Sequence, residues 1–114
     1  MRIINLGVLT KHIKKNRGNT KLVKEIKDLV QTLETSNWFS EEDIKKVRPD
    51  ADRVNPIGCY FFNIHYDRTL ILIEINNGEA EILWCGSHQS YDRTFKNNKV
   101  TIRRWLLERK IIKK

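Results

Sequence analysis

Apolar positions recur along this chain in two rhythms, and the change between them divides it. Leu22, Val23, Ile26, Leu29, Val30 and Leu33 return every three or four residues. That is the spacing of one helix face, and it predicts a helix over residues 20–34. A shorter stripe of Leu6, Leu9 and Ile13 predicts another over 6–15, after a brief strand at 2–5, and Asn16-Arg17-Gly18-Asn19 separates the two helices. The polar side of the longer helix (Lys21, Lys24, Glu25, Lys27, Asp28) reads as a solvated face. Trp38-Phe39 is expected to plug the core. Ser40 then caps a short helix whose first turn carries Glu41, Glu42 and Asp43, and Pro49 ends it. Acids favour the positive end of a helix, so capping electrostatics explain this trio better than a metal site does.

From Cys59 the rhythm becomes that of strands: 59–64, 68–76 and 79–86. Asn77-Gly78 between the last two is a two-residue hairpin signal. Taken as the turn, it pairs Ile71 with Trp84, Leu72 with Leu83, Ile73 with Ile82 and Glu74 with Glu81. Both sides of such a hairpin are apolar, which places it centrally in a sheet. The same register sets Arg68 opposite Ser87 and Asp67 beside His88. Two loop ends, 63–68 and 87–93, are thus expected to meet at one end of the sheet. Beyond them, Ile102, Trp105 and Leu106 predict a basic amphipathic helix over 97–112, with that stripe packed on the domain.

Charge sharpens this picture. The 114-residue chain has a formal net charge of +8, yet residues 1–92 hold 13 basic and 13 acidic groups. The excess lies wholly in residues 93–114, with nine basic residues against Glu108 alone. A field concentrated in that way suits a polyanion or an acidic protein; a solvated basic tail is the plainer alternative. The length suits one domain, 1–114, with 94–114 a basic C-terminal helical extension. Cys59 and Cys85 lie in apolar runs without metal-ligand spacing and read as buried thiols in a reducing cytosol. No apolar run reaches membrane-span length, so a cytoplasmic protein is expected, without membrane association.

The candidate chemistry follows the last strand, in Ser87-His88-Gln89-Ser90-Tyr91-Asp92-Arg93. RNA carries its own nucleophile, the ribose 2′-hydroxyl. Cleavage needs that proton removed, the phosphorane charge steadied and the 5′ oxygen protonated, which His, Tyr, Arg and Lys side chains can do with no metal or cofactor. His88, Tyr91, Arg68 and His65 are the candidate catalytic set. Arg93, Lys96, Lys99, Arg103 and Arg104 are candidate RNA-binding residues. Each has a plainer alternative: His88 as a strand-end cap, Tyr91 as a half-buried rim residue with Tyr66 doing the stacking, Arg68 as an ion pair with Asp67 or Asp92. His12, among lysines, reads as solvated. Hydrolase-type triads, Gly-rich phosphate loops and dinucleotide fingerprints are absent from the sequence.

Several short motifs occur in a characteristic order. Trp38 precedes the acidic helix, Pro49-Asp50-Ala51-Asp52 follows it, Phe62-Asn63-Ile64 sits in a strand, and Ser87-His88-Gln89-Ser90-Tyr91-Asp92 follows the last strand. In this layout the chain resembles the HigB toxins of the RelE/ParE group. The resemblance implies an α+β fold, a small curved and mainly antiparallel sheet with N-terminal helices on one face, here followed by the C-terminal basic helix. It also implies an endoribonuclease that cleaves mRNA on the ribosome and so inhibits translation, and a cognate antitoxin, of the helix-turn-helix HigA type, that neutralises it. His88 and Tyr91 fall on motif positions. His65-Tyr66-Asp67 stands where the family often has Gly-Gly-Asn, and Leu70 where it often has Arg; Arg68, two residues earlier, shares that strand face. The alternative is a non-catalytic protein of the same fold, a gyrase-inhibitor-like toxin or an RNA-binding module.

Overall fold

The computed structural model describes residues 1–113. In chain order the elements are β1 (Arg2–Ile4), α1 (Gly7–Lys15), α2 (Thr20–Thr35), α3 (Glu41–Val47), β2 (Asp52–Arg53), β3 (Cys59–Ile64), β4 (Asp67–Glu74), β5 (Glu79–Gly86), α4 (His88–Phe95) and α5 (Lys99–Glu108). The five strands form one sheet in the order β1-β5-β4-β3-β2. Only the β1–β5 pair is parallel; the others are antiparallel. This is an α+β fold.

Alternation along the strands sends side chains to both faces, and both faces are covered. On one face α1–α3 bring Leu9, Leu22, Ile26, Leu29, Leu33 and Ile44 onto Phe62, Ile64, Ile71, Ile73 and Ile82. On the other, α4 and α5 bring Tyr91, Phe95, Ile102, Trp105 and Leu106 onto Cys59, Phe61, Leu70 and Leu72. The first core is chiefly aliphatic. The second is built on aromatic rings meeting edge to face, such as Phe61–Phe95 at 5.2 Å and Trp84–Phe95 at 5.1 Å. The described tail residues thus fold onto the sheet through the Ile102–Trp105–Leu106 stripe. Asn19, Ser40, Ser87 and Asn98 each cap the helix that follows, accepting a hydrogen bond from a backbone N–H of its first turn.

The hairpin register differs from expectation. Its turn is the four residues 75–78, closed by the Gly78 N–H on the Ile75 carbonyl, with Gly78 at φ 65°. Left-handed φ suits glycine, and placing it last in the turn moves the register by two. Ile73 pairs with Ala80, Ile71 with Ile82, and Glu74 with Glu79 rather than Glu81. Asn77 bonds Glu74 and Arg2 pairs with Glu79, so each of the two facing acids has its own partner. A bulge then breaks the ladder between Leu70 and Ile71, and Trp84 pairs with Leu70. Without it Trp84 would oppose Thr69 and point to the aliphatic face; with it the indole joins the aromatic core.

Two other expectations are corrected, and one element was not expected. Residues 87–93 are not a loop: Ser87 caps a helix that begins at His88. Phe39 does not plug the core, for it is 77% exposed while Trp38 is buried. The two-residue edge strand β2 has too short a pattern to be read from sequence.

Candidate active site

Asn63, Arg68 and Gly86 stand in one row across β3, β4 and β5. Beside that row opens a cleft of about 490 Å³ lined by Asn63, His65, Tyr66, Asp67, Arg68 and His88. The two expected segments therefore meet, one as the β3–β4 turn and the other as the start of α4.

The turn is tied to two helices and to the segment after a third. Glu25 of α2 accepts the His65 N–H at 2.7 Å, and its other oxygen lies 3.5 Å from His65 Nδ1. His12 of α1 contacts Asp67 Oδ2 at 2.7 Å, both side chains largely shielded. Just beyond α3, Arg48 grips Asp50 through two bonds of 2.8 and 2.7 Å and donates to the Asn63 carbonyl, while the Asn63 N–H donates to Asp50. Burial alone would raise the Asp50 carboxyl, but these donors outweigh it and hold the group below its ordinary range. His12 is thus shielded rather than solvated, whereas Glu25, on the exposed face as expected, also reaches across to the turn. The turn itself needs His65 at φ 59°, a left-handed conformation that a non-glycine residue adopts at some cost.

The opposite rim is seated differently. Tyr91 is 3% exposed, and its hydroxyl donates to Asn97 at 3.1 Å. The Arg68 guanidinium lies over its ring, 4.6 Å from the centroid, with Phe61 5.9 Å away. The His88 ring runs nearly parallel to Tyr91, with centroids 5.9 Å apart. Its side chain is 63% exposed, with Nε2 3.6 Å from Asp92. Among the described residues Arg68 forms no ion pair. Gly86 makes room for this rim: a Cβ there would fall 2.6 Å from the Trp84 ring and 3.2 Å from Ser90 Cβ.

The cleft therefore presents a cation on an aromatic seat, an open imidazole on one rim, a second imidazole on the other, and Tyr66, 77% exposed, beside His65. That set can bind a phosphodiester, stack a base and exchange protons. Tyr91 belongs to the floor beneath Arg68, and Tyr66 offers the free ring. Sequence reasoning missed Asn63 as a lining residue; the one visible signal is a lone polar side chain within the apolar run 59–64. Thiol chemistry is remote, because burial pushes Cys59 to about 11 and Cys85 to about 12.

The structure does not bring every candidate together. Lys99 and Arg103 line a different cleft, with Val54 and Ile57, which precede the opposite end of β3. Arg93, Lys96 and Arg104 are exposed on α4, the α4–α5 junction and α5. No described helix is long and apolar enough to cross a membrane. A family model described as HigB_toxin, the RelE-like toxic component of a toxin–antitoxin system, matches residues 22–94. No curated protein matches the chain.

Proposed function

The chain belongs to the HigB toxin family, RelE-like toxic components of toxin–antitoxin systems, and from that premise we propose that it is a metal-independent endoribonuclease that cleaves mRNA on the ribosome in the cytoplasm. The supporting observation is the shared cleft: Arg68 and His88, from separate elements, face one open space at the sheet end. Arg68, fixed over Tyr91, takes the scissile phosphate. His88 accepts the 2′-hydroxyl proton as that oxygen attacks phosphorus. The P–O5′ bond breaks, leaving a 2′,3′-cyclic phosphate, and His65 on the other rim supplies the proton for the departing 5′ oxygen. An imidazole suits both roles near neutral pH. Tyr66 stacks on a neighbouring base. Tyr91 positions Arg68 and His88 rather than touching RNA. Arg93, Lys96 and Arg104 add salt-sensitive affinity along the backbone. The protein partner is an antitoxin, for which we propose the helix-turn-helix HigA type.

Induction in bacteria followed by mapping of RNA 5′ ends tests this reading. Wild-type protein is expected to produce cuts within translated codons. His88→Ala should slow cleavage by about 10²–10⁴-fold, the usual scale of a lost acid–base group. Arg68→Ala should slow it by about 10²–10³-fold. Arrested growth with intact mRNA would overturn cleavage and favour a non-catalytic toxin; undiminished cleavage by His88→Ala would overturn that residue's role.

A further inference from the structure

The cleft of about 350 Å³ between the segment before β3 and the C-terminal region takes no part in the proposed cleavage. Val54, Ile57 and Ile112 give it an aliphatic lining, and Lys99, Arg103 and Lys113 add three cations. Among the described residues no carboxylate lines it. Asn55, also in the lining, spends its Oδ1 on the Cys59 N–H at 2.8 Å, which fixes the segment before β3. Like charges gathered, among the described residues, without a counter-charge repel one another, and that cost falls when an anionic oxygen arrives. The lining offers no aromatic face, so it lacks the platform on which an unpaired RNA base stacks. Aliphatic contacts inside cationic ones complement a peptide that carries Asp or Glu next to a Leu-, Ile- or Val-like side chain.

We propose that this cleft is a docking site for an acidic, aliphatic segment of the antitoxin. The inference rests on family membership and stands whether or not the chain cleaves RNA. Docking there places carboxylates among the cations of the basic tail. It leaves the His88–Arg68 cleft, beyond the far end of β3, uncovered by that segment.

The test is the affinity of the full chain for its cognate antitoxin protein, immobilised at full length, measured by surface plasmon resonance. Lys99→Glu with Arg103→Glu is expected to weaken binding by about 30-fold or more, the scale of losing two interfacial charge pairs and gaining repulsion. Ile112→Asp should weaken it by about tenfold through the lining. Lys21→Glu with Lys27→Glu, the same charge change on α2, should alter it by less than about threefold. Circular dichroism confirms that each variant is folded. Equal losses for the two charge-reversed pairs would overturn the proposal, because a general field would then account for both. Unchanged antitoxin affinity in the Lys99/Arg103 variant would overturn it too, and a loss of RNA binding in that variant would assign the cleft to nucleic acid instead. Mapping RNA 5′ ends with the wild type reports on the cleavage reading separately, so failure of one is distinguishable from failure of the other.

Discussion

The two rims of the candidate active site are held by opposite kinds of force. The β3–β4 turn is tied by directional polar contacts reaching from α1, α2 and the segment after α3. The start of α4 rests on rings: Tyr91 and Phe95 lie against Phe61 and Trp84, and Phe95 meets Trp105. A net hydrogen bond contributes about 0.5–1.5 kcal/mol, whereas truncating a buried aromatic costs about 3–5 kcal/mol. The turn rim therefore owes its geometry to several small polar contributions, and the helix rim to a few large apolar ones.

The largest break in that comparison comes from Phe95→Ala. It empties a fully buried site in the aromatic core and should cost about 3–5 kcal/mol in urea unfolding. A loss below 1 kcal/mol would show that α4 does not depend on this packing. Asp50→Ala comes next, at about 1–3 kcal/mol, because it strands Arg48 and the Asn63 N–H together. Hydrogen exchange at Asn63 and His65 should quicken more than at Phe95.

Acidification separates the rims without mutation. The Asp50 carboxyl is held below its ordinary range in the folded state, so its contribution is complete above about pH 4, the unfolded value. That contribution disappears as pH falls through the lower folded value. Exchange at residues 63–67 should therefore rise below pH 4 ahead of residues 91–95, and simultaneous loosening would erase the distinction. The smallest effect belongs to Tyr91→Phe. It removes the bond to Asn97 at a cost of about 0.5–1.5 kcal/mol and keeps the ring under Arg68. RNA cleavage should stay within about threefold of wild type if Tyr91 only positions its neighbours.

Legibility from sequence followed the strength of periodicity. The long helix, the three central strands and the Ile102–Trp105–Leu106 stripe were readable because each repeats a burial rhythm. The meeting of residues 63–68 with 87–93 was readable because it needs only strand adjacency and approximate register. What failed was decided elsewhere. The hairpin register turns on where Gly78 sits within its loop, and the face of Trp84 on a bulge, neither of which has a periodic signature. Helix α4 hid because its buried residues, Tyr91 and Phe95, are only two, one turn apart, in an otherwise polar run. His12 resembled a solvent-facing charge and Glu25 is one, and only the tertiary fold sets them against Asp67 and His65. Lys99 and Arg103 are near Arg93 in sequence, and nothing local reveals that they line another cleft.

At the head of β4 an anion and a cation are neighbours in sequence but leave the sheet by opposite sides, Asp67 towards His12 and Arg68 over Tyr91. With Leu70 onward anchored in the core, deleting Thr69 would advance both by one position. The carboxylate would then occupy the perch above the phenol and the guanidinium would be buried against α1. A cleft that presents a cation would then present an anion, and the displaced guanidinium would stand in the fully buried place of Thr69, at the cost of burying a charge.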